Sequence, residues 1–189
     1  MFHLVAMAAS AGGLSALTTV LERLPSDFPL PLAVVQHIDP AHASHVAEIL
    51  NRRTRLAVKE AADHEVMTPG VVYVAPPGSH MLVSNGGAIE LTHGKLVHFV
   101  RPAADCLFES AAQRYGPVIG VVLTGTGMDG AQGARAIKVG GGIMIAQDEA
   151  SSAFFGMPSA AILTGAVDFV LPLNAIAPAL LDLVGVSQS

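Results

Sequence analysis

Residues 4–17 read Leu4-Val5-Ala6-Met7-Ala8-Ala9-Ser10-Ala11-Gly12-Gly13-Leu14-Ser15-Ala16-Leu17. Leu4–Ala8 is a solid apolar run with the length of a buried strand. Leu14, Leu17, Leu21 and Leu24 then recur at helical spacing until Pro25 stops the helix. One hydroxyl, Ser10, stands between alanines and glycines where strand becomes helix. Taken alone, it can be a helix cap, part of a phosphate cradle or a nucleophile.

The same alternation continues along the chain. Leu32–Gln36 reads as a strand, with a helix marked by Val46, Ile49 and Leu50, then a strand at Val71–Ala75. Met81–Ser84 and Ala88–Thr92 flank Asn85-Gly86-Gly87, a hairpin signal. Leu96–Val100 is expected to add another strand. Cys106, Leu107, Ala111 and Ala112 form a helical stripe ahead of the strand Val118–Leu123. Gly130–Val139 then reads as a helix, Ile143–Ala146 as a strand, Pro158–Leu163 as a helix, Phe169–Leu171 as a short strand and Ala175–Val184 as a last helix. Strands alternating with helices predict an α/β fold: a doubly wound, mostly parallel sheet with helices on both faces, Rossmann-like and three-layered, plus an antiparallel hairpin near residues 81–92.

Composition agrees. The 189 residues suit one domain with a substantial core, and they are 51% hydrophobic but only 5% aromatic, with mean hydropathy +0.53. Aliphatic strands buried on both faces account for this. Asp168, Pro172, Asn174 and Pro178 interrupt the most apolar region, so no membrane-spanning run is expected. No signal peptide is read, and the lone Cys106 fits a reducing cytoplasm. A net charge of -5 argues against nucleic acid as the main partner. Arg52, Arg53 and Arg55 read first as a solvated helix end, with a patch that meets an acidic partner as the alternative.

In open parallel sheets, chemistry collects beyond the carboxyl ends of the strands. Three such ends stand out. Ser10 follows the first strand, and His37 follows Leu32–Gln36. Asp129 lies in Thr124-Gly125-Thr126-Gly127-Met128-Asp129-Gly130 after Val118–Leu123. A serine hydroxyl needs a base within reach, and an imidazole has the right intrinsic pKa. A carboxylate would fix its tautomer. The Ala11 amide and a donor from the Gly-rich loop, Thr126, are candidates to bind a developing oxyanion. Spacing alone keeps nucleotide binding open, although no G-x-G-x-x-G follows the first strand and no G-K-[ST] occurs. The eight histidines lack H-E-x-x-H, so no metal and no cofactor are expected. His42 and His45 lie one turn apart and read as an exposed polar face. His3, His64, His80, His93 and His98 show no acidic partner pattern. Asp148-Glu149 is expected to shape its loop or contact substrate, and Arg101 to lie near the site.

At these residues the chain resembles the catalytic domain of the CheB family, the protein-glutamate methylesterases of bacterial chemotaxis. The resemblance rests on ASAGGLSAL, VVQHIDP, VKEA, PGVVYVAPPGSHM, RPAADCLFES, GVVLTGTGMDGAQG and IAQDEASSAFFGMP, in that order. It implies Ser10 as nucleophile, His37 as general base and acid, and Asp129 as the orienting carboxylate. The implied reaction hydrolyses glutamate γ-methyl esters on the cytoplasmic helices of chemoreceptors, releasing methanol, and can deamidate receptor glutamines. Ala8 stands where the family often has Gly, and Ala11 where many members have Thr. The family typically carries an N-terminal receiver domain. Residues 1–189 read as the catalytic domain alone, which leaves three readings open: a stand-alone member, a domain of a longer protein, or one controlled by a separate regulatory protein. The rival readings are a non-catalytic Rossmann-like module that binds a phosphate-bearing ligand, and a receptor-binding scaffold without activity.

Overall fold

A computed structural model describes residues 1–37 and 45–186. Its central sheet is built from β1 (Leu4–Ala9), β2 (Leu32–Gln36), β3 (Ala57–Glu60), β4 (Val71–Val74), β7 (Val118–Val122), β8 (Ile143–Gln147) and β9 (Phe169–Leu171). The strand order is β3-β4-β2-β1-β7-β8-β9, and every neighbouring pair is parallel. β5 (His80–Val83) and β6 (Ile89–Thr92) form a separate antiparallel hairpin.

Each inner strand divides its side chains between two cores, as a period of two requires. Val5, Met7 and Ala9 of β1 face one core together with Leu32 and Val34 of β2. That core is closed by α1 (Gly13–Leu21), α2 (Val46–Arg53) and α6 (Leu173–Val184), through Leu17, Leu50 and Ile176 among others. Leu4, Ala6 and Ala8 face the other core with Ala33 and Val35. There Leu107 and Phe108 of α3 (Ala104–Arg114), Ile137 of α4 (Ala131–Val139), Met157 of α5 (Gly156–Leu163) and Met81 of the hairpin pack over the sheet. Parallel strands covered on both faces have no solvent side, which is why their sequences read as unbroken apolar runs.

The path of the chain positions the site. From β1 it runs to β2, then out to the edge strand β3, inserts β4 between β2 and β3, and returns to lay β7 on the opposite side of β1. The strand order therefore reverses between β1 and β7, where the flanking loops diverge and leave a crevice at their carboxyl ends.

Two expectations about elements need correction. Leu96–Val100 is not a strand: only a Val97–Val100 bridge forms, because His98 and Phe99 adopt left-handed φ of 51° and 65°. Conversely, Ala57–Glu60 is a strand that periodicity does not mark. It is an edge strand in which only Val58 is buried, so Lys59 and Glu60 disguise it.

Candidate active site

The strand register sets two of the candidate residues side by side. Ala9 pairs with Gln36, and the His37 amide donates to Ala9 O at 3.0 Å, so Ser10 and His37 are the next residues out on adjacent strands. On the other side, the Ser10 amide donates to Thr124 O at 3.0 Å, which ties the turn to the end of β7. Ser10 thus sits between the β2 and β7 ends, at the reversal point of the sheet.

His37 Nε2 lies 2.6 Å from Asp129 Oδ2, with the two side chains 11% and 3% exposed. Asp129 is fixed from a third direction. Its Oδ2 accepts the Ala104 amide at 2.6 Å and its Oδ1 accepts the Asp105 amide at 2.9 Å. These are the first two amides of α3, so the carboxylate caps that helix where the dipole favours negative charge. Burial pushes its pKa up, but the bonds from His37 and the two amides outweigh burial and hold the carboxyl below its ordinary value. An ionised carboxylate only accepts hydrogen bonds. Nε2 therefore carries the ring proton, and Nδ1 is left with a lone pair for proton transfer.

The Ser10 hydroxyl makes no hydrogen bond among the described residues, to His37 or to any other group. It does not cap α1: the N-cap is Gly12, at φ 76°, without a side-chain cap bond. The Gly13 amide is spent on Ser10 O at 2.8 Å. A Cβ on Gly13 would meet Gln36 Oε1 at 2.1 Å and Ala9 Cβ at 2.7 Å, so it is the absence of a side chain here that admits the glutamine. Gly13→Ala is accordingly expected to cost about 1–3 kcal/mol by overpacking. A thermal melt should show this as a fall in Tm of roughly 5 °C.

Among the described residues the amides of Ala11, Gly12 and residues 126–130 donate to no protein acceptor. The Ala11 and Thr126 amides expected from the sequence belong to this set, which flanks Ser10 on both sides.

Several supporting residues escape sequence reading. Gln36, 7% exposed, donates Nε2 to Ser10 O at 2.9 Å and to His37 O at 3.0 Å. In a trans peptide the carbonyl and the next N–H point in opposite directions. Holding Ser10 O therefore aims the Ala11 N–H away from Gln36. The Thr124 hydroxyl accepts from the Phe154 amide at 2.9 Å and shares its proton between Ala11 O and Phe154 O. Fully buried Gln147 accepts the Thr124 amide at 2.8 Å and donates to Ser151 O at 2.8 Å. All three are uncharged, so no charge or spacing pattern betrays them.

His98 does have an acidic partner, against expectation: its Nε2 lies 2.8 Å from Asp105 Oδ2, and Asp105 Oδ1 accepts the Gly133 amide at 2.7 Å. Burial raises the Asp105 pKa and the neighbouring Asp129 adds to it, against the pull of Gly133 and His98. His64 likewise pairs with Asp63, in an exposed contact of 3.3 Å. His98, Asp105 and Asp129 each offer a ligand-type atom within 4.8 Å of the others, but all are engaged as described. His42 lies outside the described residues, and His45 pairs with Glu48. Arg52 pairs with Glu48 as well, on an exposed helix end. Asp148 shapes its loop by accepting the Ser151 amide and hydroxyl. Arg101 donates to His93 O and Gly94 O, pinning its own loop. The Cys106 thiol is pushed up to about 11, first by burial and then by Asp129, which makes it a poor rival nucleophile.

With this geometry in hand, the CheB methylesterase family model matches residues 5–180. The chain belongs to the CheB methylesterase family. It is 47% identical over 186 residues to the protein-glutamate methylesterase FrzG of Myxococcus xanthus, covering 98% of this chain and 56% of that protein. It is 44% identical over 175 residues to protein-glutamate methylesterase/protein-glutamine glutaminase 2 of Burkholderia orbicola, covering 92% of this chain and 52% of the relative. The chain spans about half the length of these curated relatives. Among solved structures, it matches the Thermotoga maritima CheB methylesterase catalytic domain with a TM-score of 0.92 and 38% identity, over 97% of this chain and 99% of that one.

Proposed function

We propose that this chain is a serine hydrolase that removes methyl groups from glutamate γ-methyl esters on the cytoplasmic helices of chemoreceptors. Receptor glutamines, which present a carbonyl of the same shape, are deamidated by the same route. The observation that carries the reading is the His37–Asp129 bond of 2.6 Å, buried beside Ser10 where the sheet reverses. A phosphate-binding module has no need of that pair.

In the proposed sequence, Ser10 Oγ attacks the γ-carbonyl carbon while His37 Nδ1 takes its proton. The Ala11 and Thr126 amides hold the oxyanion, donors of a kind worth about 10²–10³ in kcat each. As the tetrahedral intermediate collapses, His37 gives the proton to the departing methoxide, which leaves as methanol, or to the departing amine, which leaves as ammonia. Water then gives a proton to His37 and attacks the acyl-serine. The C–Oγ bond breaks, Ser10 recovers its proton from His37, and the released glutamic acid loses its remaining proton to solvent as the free carboxylate. Throughout, Asp129 stays ionised and stabilises the imidazolium without taking its proton.

Among the described residues no helix is long and apolar enough to cross a membrane. The proposed enzyme meets receptors at their cytoplasmic portion, and a separate regulatory protein controlling access to the crevice is part of the same reading.

Labelling with a fluorophosphonate tests the reading. Wild type should form a covalent adduct on Ser10, and Ser10→Ala and His37→Ala should not. An unlabelled wild type removes the main support for a hydrolase.

Gln36 offers a second check. Gln36→Leu is expected to lower kcat about 10²-fold, the cost of misplacing a reacting group or its donor by about 1 Å, with KM unchanged. It should not unfold the protein. Gln36 Oε1 is buried without a hydrogen-bond partner among the described residues, and an unsatisfied acceptor costs about 1–3 kcal/mol. Removing the unsatisfied group without losing stability, yet losing kcat, separates positioning from scaffolding.

A further inference from the structure

A groove opens beside Asp129, between α4 and α5, and encloses about 740 Å³. Each wall is about one helical turn long. Gln132 and Arg135 of α4 stand opposite Ala160 and Leu163 of α5, with Met128 and His98 closing the end nearest the site. Leu163 is 83% exposed and Met128 57%, which gives the groove an apolar rim. The charge is one-sided. Although the chain carries -5 overall, no carboxylate lines the groove among the described residues. Arg135 is exposed and has no ion-pair or hydrogen-bond partner among them, whereas Lys138, the next cation on α4, is committed to Asp168.

The geometry points to this groove as the docking seat of the substrate helix itself, an inference that rests on the hydrolase reading above. A segment bearing glutamate esters also bears unmodified glutamates, so it is acidic as well as amphipathic. Its apolar face covers Leu163 and Met128, and one of its carboxylates meets Arg135. Register follows from the walls. Arg135 lies four residues past the start of α4, roughly 6 Å along its axis and away from Asp129. The contact between that carboxylate and Arg135 fixes where the segment lies relative to Ser10. This explains how an enzyme with an open crevice selects particular glutamates on a long helix: the seat sets the register, and Ser10 reaches only the residue that falls above it.

The test compares two substrates, a methylated cytoplasmic fragment of a chemoreceptor and p-nitrophenyl acetate, which is too small to touch the groove. Arg135→Glu should raise KM for the fragment roughly fivefold, the scale of an exposed ion pair. Leu163→Gln should raise it about tenfold through lost apolar burial. Both side chains are exposed, so hydrolysis of the acetate should stay within about twofold of wild type. Wild-type KM should also climb with salt, and that slope should flatten in Arg135→Glu. Fragment KM unchanged in both variants overturns the seat. A wild type that hydrolyses the acetate but not the fragment overturns the occupant. A wild type inactive on both overturns the hydrolase reading on which the inference rests.

Discussion

Ser10→Ala is expected to lower kcat for methanol release about 10⁶-fold, the loss seen when a nucleophile is removed from a concerted triad. That is about 8 kcal/mol of transition-state stabilisation. The loss is this large because neighbouring nucleophilic groups among the described residues are already committed or protonated. The Thr124 hydroxyl is engaged with Ala11 and Phe154, and the Ser151 and Ser152 hydroxyls both donate to Asp148. The Cys106 thiol, at about 11, is almost wholly protonated at neutral pH. What survives is the pull of the open amides on the ester carbonyl, about 10³-fold over water. The fold should not notice the change. The hydroxyl makes no hydrogen bond among the described residues, so stability should move by less than about 0.5 kcal/mol. Methanol release and a thermal melt on the same preparation check both halves. A loss of activity below about 10²-fold would point to a different nucleophile.

The parts of this protein legible in its sequence are those where local pattern and tertiary role coincide. β1, β2 and β7 are buried on both faces, so burial writes itself as an unbroken apolar run. Ser10, His37 and Asp129 lie just beyond those runs, and the geometry of parallel sheets says where to look. β3 was not legible because an edge strand with one buried residue has no period to detect. The segment 96–100 misled for the opposite reason: its composition suits a strand, but a loop folding back over α3 imposes left-handed φ at His98 and Phe99. Gln36, Thr124 and Gln147 were hidden because each acts by a directed hydrogen bond across strands, and direction has no signature in one dimension. The same holds for Ser10 as a cap. Only the backbone shows that Gly12 takes that position and that Gly13 is small in order to admit Gln36.

Asp129→Asn is expected to lower kcat about 10⁴-fold at neutral pH, and the arrangement of donors around it says why. The carboxylate receives only donors: the His37 ring, the Ala104 amide and the Asp105 amide. Asparagine has one acceptor oxygen, so its NH₂ must face one side or the other. Turned toward His37, it forces the ring proton from Nε2 to Nδ1, the atom that must accept the serine proton. Turned toward Asp105, it sets donor against donor at the start of α3. Either choice also sets the NH₂ against a backbone donor of α3, Ala104 in the first and Asp105 in the second, at about 1–3 kcal/mol, and the first removes the base as well. Acid should reveal which groups carry the charge. The Asp129 pKa is depressed on folding, so its contribution to stability is fully present above the unfolded value of about 3.9. That contribution is lost as pH falls through the lower, folded value. The stability gap between wild type and Asp129→Asn should therefore narrow in acid as pH falls through that folded value. A gap that does not narrow there would mean that Asp129 is not held ionised by its three donors, and the assignment of Nδ1 as the working base would fall with it.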